Sequence, residues 1–477
     1  MSGTLQRHDF GVLYKVLAVV CGAFLCGAFW RIRGESGYGS KWGMFTVVVG
    51  LAFLIFTIFG ERKKLSFSLL PIFVILSGFT AGGWGTLNSQ MTGFLGASTP
   101  FLGEEAVRTI EVNPWSGLLV LFCLGFGWMP FFSYFSGYFF SDKEYKFLKL
   151  MAGAAVFYVV YFLGKATFAH PITQVFFTDA TQLFKDGLAD RSLDVTPWGY
   201  YMQNFNLEAM AKKIPGGRNY YATVAAVAAA IATLALIIYQ RFALKDKRGA
   251  RINFVFNTIV MFAMTISDIP MVVGAERTVV RSDAVAKLFE GWPLWSLWEY
   301  GTGFLLGFGV LLVIMIMSKK LLSEGAEIPQ AFPSLPKKAD FVYQTILAFF
   351  APLFVTTLRP FTGRLFEDGT RGYIIAFVLG LVILAVCFVI SRKNMLKNNL
   401  GTPVNMDFKR FCTVSFAPYF CVNMFIYFFV SKEQRFLRGE WDPIMKLMAF
   451  SFFVVLVCFA AMLMFAGKEK SAKNKAK

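Results

Sequence analysis

Histidine is nearly missing from this chain: there are two, His8 and His170, among 477 residues. Two are too few for a histidine-built metal centre or for chemistry that needs partnered imidazoles. Charge is scarce as well, at 16% of residues, where a soluble chain carries about 25%. A water-soluble fold has no means of hiding the apolar remainder, so lipid is the expected solvent for most of it. Cys21, Cys26, Cys123, Cys387, Cys412, Cys421 and Cys458 all lie in apolar runs, and none shows CxxC spacing. They read as small buried hydrophobes without disulfides or metal. No P-loop, GxGxxG or HExxH occurs. A built-in ATP-burning domain is therefore missing, and any transport is secondary or downhill. No metal and no cofactor is expected. The alternating pattern of a membrane barrel strand is missing too.

What remains is apolar and continuous. Phenylalanine occurs 56 times, and 56% of residues are hydrophobic. A crossing helix needs about 20 mostly apolar residues, and lipid offers unpaired backbone groups no partner. Twelve runs qualify, at about 10–30, 43–60, 66–85, 115–140, 147–169, 219–241, 252–274, 292–317, 341–358, 373–391, 411–430 and 444–466. The expectation is an all-α, polytopic integral membrane protein of about twelve transmembrane helices.

The formal charge of +18 suggests nucleic acid until its distribution is read. With the N-terminus inside, the inside connections hold 26 Lys and Arg against 10 acids, and the outside ones about 18 against 19. Basic inside connections set orientation and meet anionic lipid. Both termini are expected in the cytoplasm, in the plasma (inner) membrane, with lipids and no nucleic acid as partners. The first run lacks a small-residue cleavage site and reads as an uncleaved helix. One membrane domain covers 1–477, with a candidate joint in the Pro-rich 318–340 between helices 1–8 and 9–12. Residues 170–218 form a large outer loop, whose Leu183, Phe184 and Leu188 suggest an interfacial helix. The basic tail 467–477 reads as disordered.

Six stretches gather the polar side chains. "WRIRGESGYGSKWG", 30–43, reads as an outward loop after the first span. Its glycines permit turns with converging N–H groups, and arginine presents planar paired donors suited to phosphate or carboxylate. Arg31, Arg33, Glu35, Tyr38, Lys41 and Trp42 are thus a candidate anion site; the plain alternative is an interfacial turn with Arg33 paired to Glu35. In "GFTAGGWGTLNSQMTGFLG", 78–96, a helix break after Trp84 leaves Asn88 and Gln90 near the outer interface, with close packing at Gly78 and Gly82 as the alternative. Asp268 in "MTISDIP" and Lys165 in "YFLGKATF" are ionisable groups in apolar runs. Such groups mark ion pathways, so the two are ion-coupling candidates and a candidate pair; the alternative is snorkelling to water. Glu299, beside Gly301, Gly303 and Gly307, joins the substrate set, or else pairs with an arginine. Arg359 and Arg364 in "LRPFTGRLFEDGTRGY" complete that set, or else belong to a solvated turn.

Two functions of different class fit. The first is a secondary transporter or flippase for an anionic or zwitterionic, in one version lipid-linked, substrate. The second is a membrane-embedded transferase of glycosyl or phosphoglycosyl type with an outward-facing active site. A structural or assembly subunit is the third reading.

Overall fold

The computed structural model describes residues 11–35, 39–59, 114–176, 217–274, 282–323, 405–430, 439 and 441–475. Its helices are α1 (Val12–Glu35), α2 (Gly39–Phe59), α3 (Pro114–Trp128), α4 (Pro130–Phe140), α5 (Phe147–Ala166), α6 (Ala169–Phe176), α7 (Gly217–Phe242), α8 (Lys247–Gly274), α9 (Asp283–Leu288), α10 (Leu294–Ser323), α11 (Asn405–Phe425) and α12 (Pro443–Lys475). A π-helical turn, Ile426–Val430, extends α11. No strand occurs among the described residues. Six of these helices are long and apolar enough to cross a membrane, or seven with α3 and α4 taken as one bent span. The described residues are all-helical, with helices of the multi-pass membrane type. The runs at 66–85, 341–358 and 373–391 lie outside the described residues.

Three boundaries differ from the sequence reading, each for a local reason. The run 10–30 was ended at Arg31, where charge begins. The helix continues to Glu35, because arginine is a good helix former and a charge does not stop backbone bonding. The run 115–140 is two helices meeting at 47°. Pro130 opens the second, and its missing N–H removes one rung of the ladder. The last helix runs to Lys475, past the 466 expected. Its lysines lie toward the end where the macrodipole favours cations, so the tail expected to be disordered is helical that far.

The chain forms two compact units. The first comprises Met1–Gly82, Tyr138–Glu144 and Glu299–Lys477, and the second Gly83–Gly137 and Tyr145–Trp298. The joint expected at 318–340 lies mostly outside the described residues.

In the first unit α1 packs on α2 and α12, and α2 on α11. Phe29 of α1 meets Tyr419 edge-on at 5.7 Å and Phe420 at 5.5 Å. Phe53 of α2 meets the same Tyr419 at 5.4 Å. The contact of α1 with α10 is closer still. A Cβ at Gly307 would strike the Gly22 carbonyl, and one at Gly303 the Cys26 carbonyl. These glycines let two backbones touch.

In the second unit α3 packs on α7 and α8, and α5 on α7. Gly125 lies against the Met261 backbone and Gly127 against Ala229. Phe132 of α4 stacks on Phe256 of α8, and Phe131 meets Phe157 of α5. Asp246 starts α8: its Oδ1 accepts the Gly249 N–H at 2.7 Å, which is N-capping.

Candidate functional site

In the first unit the ionic centre is Glu299. Its two carboxylate oxygens lie within reach of two guanidinia: Arg31 Nη1 donates to Oε2 at 2.6 Å, and Arg33 Nη2 to Oε1 at 3.2 Å. All three side chains are buried, Arg31 completely. The Arg33 guanidinium also lies over the Trp30 ring, 5.5 Å from its centroid. Helical extension of α1 produces this arrangement. Because residues 31–35 stay helical, both arginines stand on α1 and reach α10, where the sequence reading placed them in an outward loop. Gly34 falls in α1, and Gly39 and Gly43 in α2. Of the turn glycines only Gly37 remains, outside the described residues.

The other members of the expected substrate site are dispersed. Glu35 ends α1, and Lys41 and Trp42 are in the first turns of α2; their side chains are outside the described set. Tyr38, Asn88, Gln90, Arg359 and Arg364 lie outside the described residues altogether. Among the described residues only Arg31, Arg33 and Glu299 are brought together, and Glu299 pairs with arginine.

In the second unit Asp268 is completely buried on α8. Neither of its carboxylate oxygens has a hydrogen-bond partner among the described residues. Pro270 lies two residues on, inside the same helix, and cannot donate to the carbonyl of Ile266. Nearby, Trp298 Nε1 donates to the Met264 carbonyl at 3.0 Å. The expected pair with Lys165 does not form. Lys165 is half-buried on α5, with its ammonium 5.7 Å from the Tyr161 ring centroid. The side chain leans along its own helix, where an aromatic face attracts a cation.

His170 was placed in an outer loop by its sequence and instead is buried in α6. Its Nε2 donates to the Lys165 carbonyl at 2.9 Å, and its Nδ1 accepts from the Tyr220 hydroxyl at 2.9 Å. That pairing fixes the neutral Nε2–H tautomer. Burial, chiefly, pushes its pKa down to about 4.

Sequence reading missed a second polar cluster in this unit. Tyr145 donates to Asp246 Oδ2, and Gln240 Nε2 to the Tyr145 oxygen at 3.2 Å. Asn253 Nδ2 donates to Gln240 Oε1 at 2.9 Å, and Asn257 Nδ2 to Asn253 Oδ1 at 2.8 Å. All five side chains are buried. Burial first, and the adjacent Asp246 carboxylate second, raise the Tyr145 pKa and keep the phenol protonated. The available signal was two asparagines four residues apart in an apolar run, which puts both on one helix face. An Asp three residues before Gly249, at the start of that run, was a second.

Among the described residues no group of three or more His, Cys, Asp or Glu side chains is placed to hold a metal. Cys21, Cys26, Cys123, Cys421 and Cys458 are free thiols. No family model, no curated protein and no solved structure matches this chain.

Proposed function

We propose that this protein is a secondary transporter of an anionic or zwitterionic solute, with Asp268 as its coupling carboxylate. The observation that carries the reading is the completely buried Asp268, unpartnered among the described residues, in a membrane-crossing helix interrupted by Pro270. An ionised carboxylate without a partner costs several kcal/mol in such a place. A group in this position is kept where its charge changes with conformational state, as in proton relays. The Glu299 clasp supports the substrate class. Two guanidinia converge on one carboxylate, the geometry that suits a substrate carboxylate or phosphate in its place. In this reading Glu299 holds the arginines when the substrate is away. The full arrangement is twelve spans with both termini in the cytoplasm, in the plasma membrane.

The test is uptake into proteoliposomes of labelled inorganic phosphate, sugar phosphates and amino acids under an imposed pH gradient. At least one solute accumulates in response to the gradient. Asp268→Asn cuts that accumulation tenfold or more, and gradient-free exchange of the same solute persists. Uptake that is equal in the variant and the parent, or that is missing for every solute, defeats the proposal.

A further inference from the structure

We infer that the second unit holds a binding site for a small monovalent cation, Na+, between α4, α7 and α8. The site does not depend on the transport reading, since a cation site fills whether or not a solute moves.

Three side-chain oxygens define it: Ser133 Oγ on α4, Thr233 Oγ1 on α7 and Asn257 Oδ1 on α8. Each side chain is completely buried, and none of the three oxygens has a hydrogen-bond partner among the described residues. Thr46 and Thr57 of the first unit also leave buried hydroxyls without a partner among the described residues, but in the second unit only Ser133 and Thr233 do so. Thr173, Thr265, Ser267 and Ser451, all helical, spend their hydroxyls on the carbonyl four residues back. Ser133 and Thr233 do not, although helical hydroxyls commonly make that bond.

The packing register brings the three together. At one level Gly137 of α4 lies against the Gly249 carbonyl and Gln240 Nε2; at the other, Gly125 lies against Met261 and Gly127 against Ala229. Ser133 shares a face with Gly137, Thr233 with Ala229 and Gln240, and Asn257 with Gly249 and Met261, by helical spacing. At about 1.5 Å per residue the three positions fall within ~6 Å along the bundle. Phe132 stacked on Phe256 at 6.2 Å fixes the same register.

The sign of the charge follows from the hydrogen-bond chain. Every donor from Asn257 to Tyr145 points toward the Asp246 carboxylate. The dipoles are therefore aligned, and their negative end emerges at Asn257 Oδ1, the one acceptor left over. Aligned bonds polarise one another. The C-terminus of α3, a negative dipole end, falls at the same level. There Pro130 has no N–H to give the carbonyl of Phe126, and broken-helix ends of this kind coordinate cations. Hydroxyl, amide and carbonyl oxygens are hard ligands, and the oxygens gathered here are neutral. A divalent ion held at such a site requires carboxylates; a monovalent ion does not.

The test is thermal unfolding of the purified, detergent-solubilised protein in NaCl, KCl and choline chloride at equal ionic strength. Na+ raises Tm by several degrees with a saturable dependence, and choline does not. Thr233→Val and Ser133→Ala remove ligand oxygens with little change of shape. Each is expected to keep or raise Tm in choline and to lose at least half of the Na+ shift. A Tm in the parent that does not respond selectively to Na+ overturns the site and leaves a buried water as its content. A Na+ shift that survives in both variants overturns it as well.

Discussion

Glu299 and its two arginines do not contribute symmetrically. Removing the carboxylate with Glu299→Gln leaves two buried guanidinia facing each other; removing one arginine with Arg33→Gln leaves Glu299 still held by Arg31. Breaking a buried pair from one side costs about 3–5 kcal/mol. Glu299→Gln is therefore expected at or above that range and Arg33→Gln below it, as read from Tm in detergent. The reverse order would mean that Glu299 is not the hub. His170 gives a separate prediction. Its folded pKa of about 4 lies below the unfolded value of about 6.5. Between the two the unfolded chain binds the extra proton. The stability due to neutral His170 is thus complete above pH 6.5 and is lost as pH falls toward 4. His170→Gln should flatten the Tm–pH curve across that window, and an unchanged slope would contradict the assignment. At this scale the polar residues that the structure buries could in part be picked out ahead. Glu299 and Asp268 stand out because ionisable residues are rare in apolar runs, and Arg31 and Arg33 because they crowd the end of one. Their partners could not be read, because which helix faces Arg31 depends on packing and not on spacing. His170 and the Tyr145–Asn257 chain escaped because each member is unremarkable until its neighbours are known.

Among the helices, α1 and α10 show how little tolerance close packing leaves. Gly303 and Gly307 touch the backbone of α1 directly: a Cβ at Gly303 would meet the Cys26 carbonyl and Trp30 Cβ, and one at Gly307 the Gly22 carbonyl and Cys26 Cβ, none of which is a flexible side-chain end. Overpacking of this kind costs about 1–3 kcal/mol. Gly307→Ala is expected to lower stability by an amount in that range, seen as a fall in Tm, and Gly439→Ala to act differently. Gly439 has open space around it but φ of 73°, so its cost is backbone strain and not contact. A neutral Gly307→Ala would show that α1 and α10 are free to separate. The spacing of Gly303 and Gly307 was legible as a close-approach signal, and most apolar runs in the described residues became helices. Helix ends were less legible. Hydropathy ends a span where charge starts, whereas the backbone of α1 continues for five residues past Trp30 because nothing in Arg31–Glu35 breaks it. The opposite error came at Pro130, where hydropathy is continuous but the hydrogen-bond ladder is not.

For the whole molecule, class follows from composition, and the charge asymmetry of the connections predicts an orientation. Reporter fusions at Lys245 and Lys397 should read cytoplasmic, and those at Asp186 and Glu433 external. Two reversed reporters would break the twelve-span arrangement. Substrate and mechanism are less accessible, since they depend on which buried groups meet water and when. In the transport reading the surroundings of Asp268 open to both sides of the membrane. Met264 lies one turn from Asp268 on the same completely buried face of α8. A single cysteine at Met264, in a background without the native cysteines, can be labelled with a membrane-impermeant maleimide. Right-side-out and inside-out vesicles give the two directions of access. A transporter exposes the thiol from both sides, with pH shifting the balance in the parent background and no longer doing so once Asp268→Asn is added. Labelling from the outside alone, at every pH, would contradict alternating access and leave an outward-opening membrane enzyme as the account of this chain.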